Sequence, residues 1–325
     1  MKSFEYAAPK NLKDAVALLS DTWGRTEILA GGTDLVTSLK QRVTQPARVV
    51  SLRNIKELKG IKSRRGGLAI GSMTTLAELV DNKDARKNFP SLITAVEGIG
   101  SPQTLSVGTV GGDLCQRPRC WYFRNGHGVL GRHGNTSLVR EGDNRYHAIF
   151  GNDGPALFVS ASSLGPGLVA LGAEITVTGP GAKERTIPAA EFFRTPRSES
   201  QRETTLQPNE ILTEIFIPNK GLKNATYEVR HRHGFDWPYV TATVAFAMKG
   251  GAVSDARVVL GHVAPTPWNS AGAGSALNNA AVSETTAVRC GEAAAQGAKP
   301  LSGNAYKVQM VKAAVKRAVL AAAAA

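Results

Sequence analysis

Two clusters of small residues constrain this chain more than anything else in it: Gly31-Gly32-Thr33-Asp34 and Gly108-Thr109-Val110-Gly111-Gly112-Asp113. The first follows a short apolar run, Glu27-Ile28-Leu29-Ala30, and precedes a helical pattern from roughly Leu35 to Arg42. A strand ending in two glycines leaves backbone N–H groups open to a ligand, and a helix start behind them favours an anion such as a pyrophosphate. Taken alone, the same residues read as a tight turn with Asp34 capping the next helix. They do not form the G-x-G-x-x-G fingerprint of a Rossmann domain, so a nicotinamide dinucleotide is disfavoured. The second cluster follows Ser101-Pro102-Gln103-Thr104 and carries hydroxyls at Ser101, Thr104 and Thr109. Two such loops in one α/β region point to one large ligand bridging them.

The pattern around these loops is β-α-β at the start. Asn11 caps a helix over Leu12 to Ser20, the Ile28 strand follows, and a further strand covers Arg48 to Leu52. A strand at Leu68 to Gly71 and a helix at Thr74 to Val80 come next, and another helix after Pro90 leads to the second loop. Residues 113 to 156 form a long polar excursion, a length that marks a functional loop or disorder. Strands are expected at Leu168 to Leu171 and Glu174 to Thr178, and a connection at Thr186 to Pro196. Strands at Ile211 to Ile217, Ala225 to His233, Val240 to Met248 and Val253 to Val263 precede a helix with Val308, Val311, Val315 and Val319 on one stripe. The five closing alanines read as a fraying helix end.

Charge and cysteine content narrow the function. The 39 Lys and Arg against 26 Asp and Glu give a net +13, spread along the chain with no nucleic-acid-binding signature beside it. A basic face for a partner or an anionic cofactor is the better reading. No apolar run approaches the roughly 20 residues of a membrane span, and the opening MKSFEYAAPK has no apolar core of a signal peptide. Cys115, Cys120 and Cys290 are too few for a disulfide framework. A cytoplasmic protein is expected, with export in the company of a signal-bearing partner as the alternative.

An AGGTDL loop followed by a GTVGGD loop resembles the FAD-binding medium subunit of molybdenum hydroxylases, the xanthine dehydrogenase and bacterial aldehyde oxidoreductase family. Leu168-Val169-Ala170-Leu171-Gly172-Ala173 and Leu206-Gln207-Pro208-Asn209-Glu210-Ile211-Leu212 extend the resemblance. Arg117-Pro118-Arg119-Cys120-Trp121-Tyr122-Phe123 is similar to the insertion of the aldehyde oxidoreductase subgroup. The resemblance implies an α+β chain: a vanillyl-alcohol oxidase-type (PCMH-like) FAD-binding domain of two α/β subdomains, then a C-terminal antiparallel sheet with a helical bundle. The corresponding bounds are residues 1–178 (subdomains about 1–55 and 56–178, insertion 113–156) and 179–325. FAD would contact Ile28, Leu29, Ala30, Gly31, Gly32, Thr33, Asp34, Ser101, Thr104, Gly108, Thr109, Gly111, Gly112 and Asp113. Its ring would sit between the FAD domain and the C-terminal domain. The implied partners are a large subunit with molybdenum cofactor and a small subunit with [2Fe–2S] clusters, in a heterotrimer or its dimer. Electrons would pass from the iron–sulfur centres through FAD to an external acceptor, with no catalytic acid, base or nucleophile and no metal ligand in this chain.

The chain departs from the family pattern at Leu105-Ser106 (commonly Arg-Asn), Asp113 (commonly Asn), Ser163 (commonly Asp) and Glu228 (near a frequent Lys). These changes motivate a rival, a flavin-free scaffold of the same complex, and a free-standing oxidase of the same fold is a further rival. The insertion of the subgroup commonly holds a [4Fe–4S] cluster on four cysteines, whereas three cysteines cannot supply such a site, so no cluster is expected. From Gln116 to Tyr146 six arginines and two histidines face two acids, which fits either a solvated surface or docking onto an acidic partner. Trp121, Tyr122 and Phe123 read as interface anchors before flavin-stacking residues. Arg230-His231-Arg232-His233, on an expected strand, reads as surface rather than metal site for want of a third ligand.

Overall fold

The computed structural model describes every residue except Arg65 and His233 to Phe235. The chain starts with a parallel β-α-β unit. Strands β1 (Glu5–Ala7), β2 (Thr26–Leu29) and β3 (Arg48–Ser51) pair in the order β1-β3-β2, with α1 (Leu12–Ala17) between the first two and α2 (Leu35–Lys40) before the third. Asn11 starts α1 by accepting the Asp14 N–H on its side-chain oxygen at 2.9 Å. Val50, Leu52, Ile55 and Leu58 close a small core under this sheet.

A second sheet begins with the hairpin of β4 (Ile61–Arg64) and β5 (Gly67–Gly71). Helices α3 (Leu76–Asp81), α4 (Lys83–Asn88), α5 (Pro90–Glu97), α6 (Pro102–Val107) and α7 (Val110–Cys115) follow. Thr75 and Glu78 form a capping box on α3, and Pro90 opens α5 at the position where a missing N–H costs nothing. The insertion holds two short helices, α8 (Trp121–Arg124) and α9 (Leu138–Glu141), and between them the small hairpin of β6 (Arg132–His133) and β7 (Thr136–Ser137). Then come α10 (Gly165–Leu171), β8 (Glu174–Gly179), β9 (Lys183–Pro188), α11 (Ala189–Phe192) and β10 (Ile211–Pro218). The sheet order is β4-β5-β10-β8-β9, so β10 arrives last in sequence and takes the centre.

Two local expectations fail here. Leu168 to Leu171 is the second half of α10 rather than a strand: a four-residue apolar run carries no period, and the Gly-Pro before it and Gly172 after it are helix punctuation. Thr186 to Pro196 is not a bare connection, because it completes β9 against β8 and forms α11. Both segments are fixed by long-range pairing that the local sequence does not display.

The third sheet, β11 (Lys223–Val229), β12 (Val240–Lys249), β13 (Ala252–Gly261) and β14 (Trp268–Asn269), is an antiparallel meander. Helices α12 (Ala271–Leu277), α13 (Glu284–Ala295) and α14 (Tyr306–Ala324) pack together, and α14 lies on β11 and β12. On the other side the sheet meets α5 and α10, which is why Val240 through Phe246 is buried on both faces. The valine stripe of α14 is as expected: Val311, Val315 and Val319 are fully buried, each contributing about 1.5–3 kcal/mol. The closing alanines continue that helix to Ala324. β11 stops at Val229, so Arg230 lies beyond the strand, and His233 falls outside the described residues.

Candidate functional site

The two glycine loops meet. A β-carbon on Gly31 would lie 2.0 Å from the carbonyl oxygen of Val107, so the first loop touches the backbone that enters the second. Gly32 sits at φ +81°, a conformation that β-carbons resist. The loops differ in what they offer. In the second, Val110 N–H donates to Thr74 O, Gly111 N–H to Ser72 O and Gly112 N–H to Thr109 Oγ1, at 2.9, 2.9 and 3.1 Å. In the first, the N–H groups of Gly32, Thr33 and Asp34 have no acceptor among the described residues. The first loop therefore supplies the free donors, and the second supplies hydroxyls and a wall.

Both loops line one cavity of about 1050 Å³, at the top of the range for ligand sites and sized for a dinucleotide. Ile28, Ala30, Gly31, Gly32, Thr33, Asp34, Thr104, Gly108, Thr109, Gly111, Gly112 and Asp113 all line it. Leu29 and Ser101 do not: Leu29 pairs with Ser51 in the sheet, and Ser101 caps α6 by accepting the Thr104 N–H.

Two acidic residues have roles unlike those expected. Asp34 makes no side-chain cap to α2. Its carboxylate instead accepts from the Arg117 N–H and from the guanidiniums of Arg119 and Arg124, at 2.8, 2.9 and 2.8 Å, fastening the insertion to the first loop. Asp113 accepts from Ser162 Oγ at 2.6 Å and from the N–H groups of Leu164 and Ser163 at 3.0 and 3.3 Å. Burial pushes its carboxyl above the usual range, and the Ser162 hydroxyl pulls it back. Asp113 thereby holds the start of α10, and its carboxyl group is committed to the protein.

Residues without a local signature complete the walls. A strap from Arg194 to Thr205 crosses beside the insertion: Glu199 accepts the N–H groups of Val129 and Leu130, Glu203 pairs with Arg117 at 2.9 Å, and Arg202 pairs with Glu27 at 3.0 Å. Arg202 also lies over Trp23. From the connection between β11 and β12 come Arg230, Asp236, Trp237 and Pro238, with Arg119 over the Trp237 ring at 4.9 Å. Arg230 forms a buried ion pair with Glu228. Burial pushes Glu228 up to about 7 against the pull of that guanidinium. Buried polar atoms on the lining have no partner among the described residues, namely Ser72 Oγ, Arg119 Nε and Arg230 Nε. Free backbone donors, unpaired cationic nitrogens, hydroxyls and apolar walls suit a long phosphorylated ligand with an aromatic ring system.

Among the insertion aromatics, Phe123 lines the cavity, beneath the guanidiniums of Arg117 and Arg124. Trp121 and Tyr122 are turned to the Asp143 carbonyl, and Trp121 packs edge-on against Tyr146. Cys115 lines the cavity, Cys120 Sγ lies 3.1 Å from His147 Nε2, and Cys290 is buried in the C-terminal helices. No group of three or more metal-ligating side chains occurs among the described residues.

Comparison with known proteins adds to this geometry. Residues 2–220 match the family described as the FAD binding domain in molybdopterin dehydrogenase, and residues 225–322 match the CO dehydrogenase flavoprotein C-terminal domain. The chain is 31% identical to the carbon monoxide dehydrogenase medium chain of Hydrogenophaga pseudoflava, covering 98% of this chain and 96% of that one. It is 27% identical to the aldehyde oxidoreductase FAD-binding subunit PaoB of Escherichia coli (strain K12), covering 86% and 88%. Among solved structures it superposes on carbon monoxide dehydrogenase from Hydrogenophaga pseudoflava with TM-score 0.77 at 30% identity, covering 99% and 97%. It superposes on quinoline 2-oxidoreductase from Pseudomonas putida 86 with TM-score 0.78 at 25% identity, covering 100% and 99%.

Proposed function

The chain belongs to the molybdopterin dehydrogenase FAD-binding family, and from that premise we propose that it is the FAD-carrying electron-transfer subunit of a molybdenum hydroxylase. The observation that carries the assignment to this cavity is the set of free N–H groups at Gly32, Thr33 and Asp34 on its wall. These donors hold the pyrophosphate, Thr104 and Thr109 add hydroxyls, and the strap with Arg202 and Trp23 covers one flank. Arg119, Arg230 and Trp237 border the part of the cavity that meets the C-terminal domain. When bound, FAD supplies the two-electron acceptor that links one-electron carriers to an external oxidant. The protein's contribution is to bind and orient it and to keep water from it.

The partners on this reading are a large subunit with molybdenum cofactor and a small subunit with [2Fe–2S] clusters. Substrate is oxidised on the large subunit, so residues of this chain do not choose it. Relatives named for carbon monoxide, aldehyde and xanthine oxidation fit that division of labour. No helix among the described residues is long and apolar enough to cross a membrane. The complex works in the cytoplasm, or beyond it if a partner carries the export signal. The flavin-free scaffold loses one of its motives, because the Asp113 carboxylate is bonded to Ser162, Ser163 and Leu164.

The test is the visible spectrum of the purified chain with its partners, with released cofactor identified and iron quantified on the separated chain. Flavin bands near stoichiometry with FAD released support the proposal. A folded, partner-bound chain without a chromophore would favour the scaffold, and about four irons per chain would place a cluster in the insertion.

A further inference from the structure

Arg230, just past the end of β11, lies on the wall of the cavity with its side chain 3% exposed. Its Nη1 donates to the carbonyls of Gly98 and Asp236, its Nη2 pairs with Glu228, and its Nε is buried with no partner among the described residues. The FAD-binding domain makes room for it. A β-carbon on Gly98, at the end of α5, would lie 2.4 Å from both the Arg230 Nη2 and the Glu228 Oε2. The counter-charge is also buried, at 7% exposure. A desolvated ion pair of this kind is costly to build and does not recommend itself as a stabilising device. Its place on the wall of the cavity that would hold FAD gives it another use.

We propose that Arg230 is a potential-setting residue, a fixed guanidinium that favours the reduced flavin over the oxidised one, and that Glu228 positions it and offsets part of its field. The inference rests on the FAD reading above. Uptake of two electrons and one proton turns the neutral oxidised ring into a reduced ring with one negative charge. The electrons come from the reductant that loads the subunit. A cation held in a low-dielectric wall stabilises that added charge far more than it would in water. Arg119, over Trp237 on the same part of the cavity, adds to the field, its charge offset by Asp34 as that of Arg230 is by Glu228. Arg230 lines the cavity, and its buried Nε has no partner among the described residues.

The experiment is spectroelectrochemical titration of the FAD-loaded complex at mildly alkaline pH, where Glu228 is ionised, on the wild type, Arg230→Gln, Arg230→Lys and Glu228→Gln. Flavin content of the wild type comes first: an empty, folded wild type sinks the FAD reading itself. Given bound flavin, Arg230→Gln is expected to weaken the preference for reduced over oxidised flavin about tenfold, which for this two-electron couple lowers the midpoint by about 30 mV. Glu228→Gln is expected to raise it, and Arg230→Lys to stay near the wild type. Opposite signs for the two neutralising variants cannot come from loosened packing. Midpoints that do not move, or that move in the same direction, would overturn the proposal. If Arg230→Gln does not fold, the upward shift in Glu228→Gln remains decisive, and its absence would be fatal.

Discussion

The carboxylate of Asp34 lies 2.8 Å from the guanidinium of Arg124, 90 residues further along the chain. Arg119 reaches the same oxygen, and the Arg117 N–H takes the other. One acid on the first glycine loop thus anchors the start of the insertion, and the loop that carries the free N–H donors is fixed by the segment that walls them in. Asp34→Ala leaves two half-buried guanidiniums facing each other and is expected to cost roughly 2–4 kcal/mol. Denaturant unfolding of wild type and variant measures this. The insertion should also become the first site of proteolytic cleavage. A variant with unchanged midpoint and cleavage pattern would show that the clamp is incidental.

Gly31 and Gly32 fail differently when substituted. Gly31→Ala drives a methyl into the Val107 carbonyl, so the two loops must separate, and FAD retention is expected to fall below detection. The methyl of Gly32→Ala points at Val36 and Leu29, away from the cavity, and its cost is the backbone conformation, about 1–2 kcal/mol. That variant should unfold earlier yet keep most of its flavin. Flavin-to-protein ratios after gel filtration distinguish the two, and equal losses would contradict the distinction.

Lys307 is buried with no ion-pair partner among the described residues: its Nζ donates to the carbonyls of Tyr146 and His262 at 3.0 and 2.9 Å. Burial pulls it down to about 7, from an ordinary value near 10.4. Between those values the unfolded chain carries a proton that the folded chain does not, so stability rises with pH across that window. Below it both states are protonated and the burial cost is present in full, several kcal/mol in order of magnitude. The neighbouring His147 and His262 are pulled down to about 4 and about 3 by burial and then by Lys307, so acidification below about 6.5 destabilises further. Lys307→Met is expected to flatten the rise between neutral and alkaline pH while leaving the part of the acid limb that burial of the two histidines produces. An unchanged alkaline slope would count against Lys307 as its origin.

The sequence displays what local chemistry decides. Asn11 and Pro90 announce helix starts, the valines of α14 declare its buried face, and both glycine loops stand where the cavity is. It conceals what distant pairing decides. α10 is capped by Asp113, from 50 residues away, so its apolar run passes for a strand. Glu27, Arg119, Arg202, Glu203, Arg230 and Trp237 reach the cavity from four separate segments, none with a spacing that marks it. Asp34 next to a helix start looks like a cap, and only the folded insertion reveals its true partners.

The strap from Arg194 to Thr205 gives the last prediction. At one end it is pinned by the Phe193–Thr204 bridge, and along its length by Glu199 on Val129 and Leu130, Arg202 on Glu27 and Arg117 on Glu203. Glu199, Ser200, Arg202, Glu203 and Thr204 all line the cavity, so the strap stands between the ligand space and solvent. Glu199 supplies both acceptors at the insertion, at 2.7 and 3.0 Å. Glu199→Ala strands two N–H groups, at about 1–3 kcal/mol each if they stay buried, and the cheaper response is for the strap to lift and let water reach them. The variant should therefore lose little global stability and release FAD at least tenfold faster, read as the recovery of free-flavin fluorescence after dilution. Glu199→Gln, which keeps one acceptor, should fall between. Release at the wild-type rate in both would mean that FAD leaves by another face, and that the strap serves the insertion rather than the cofactor.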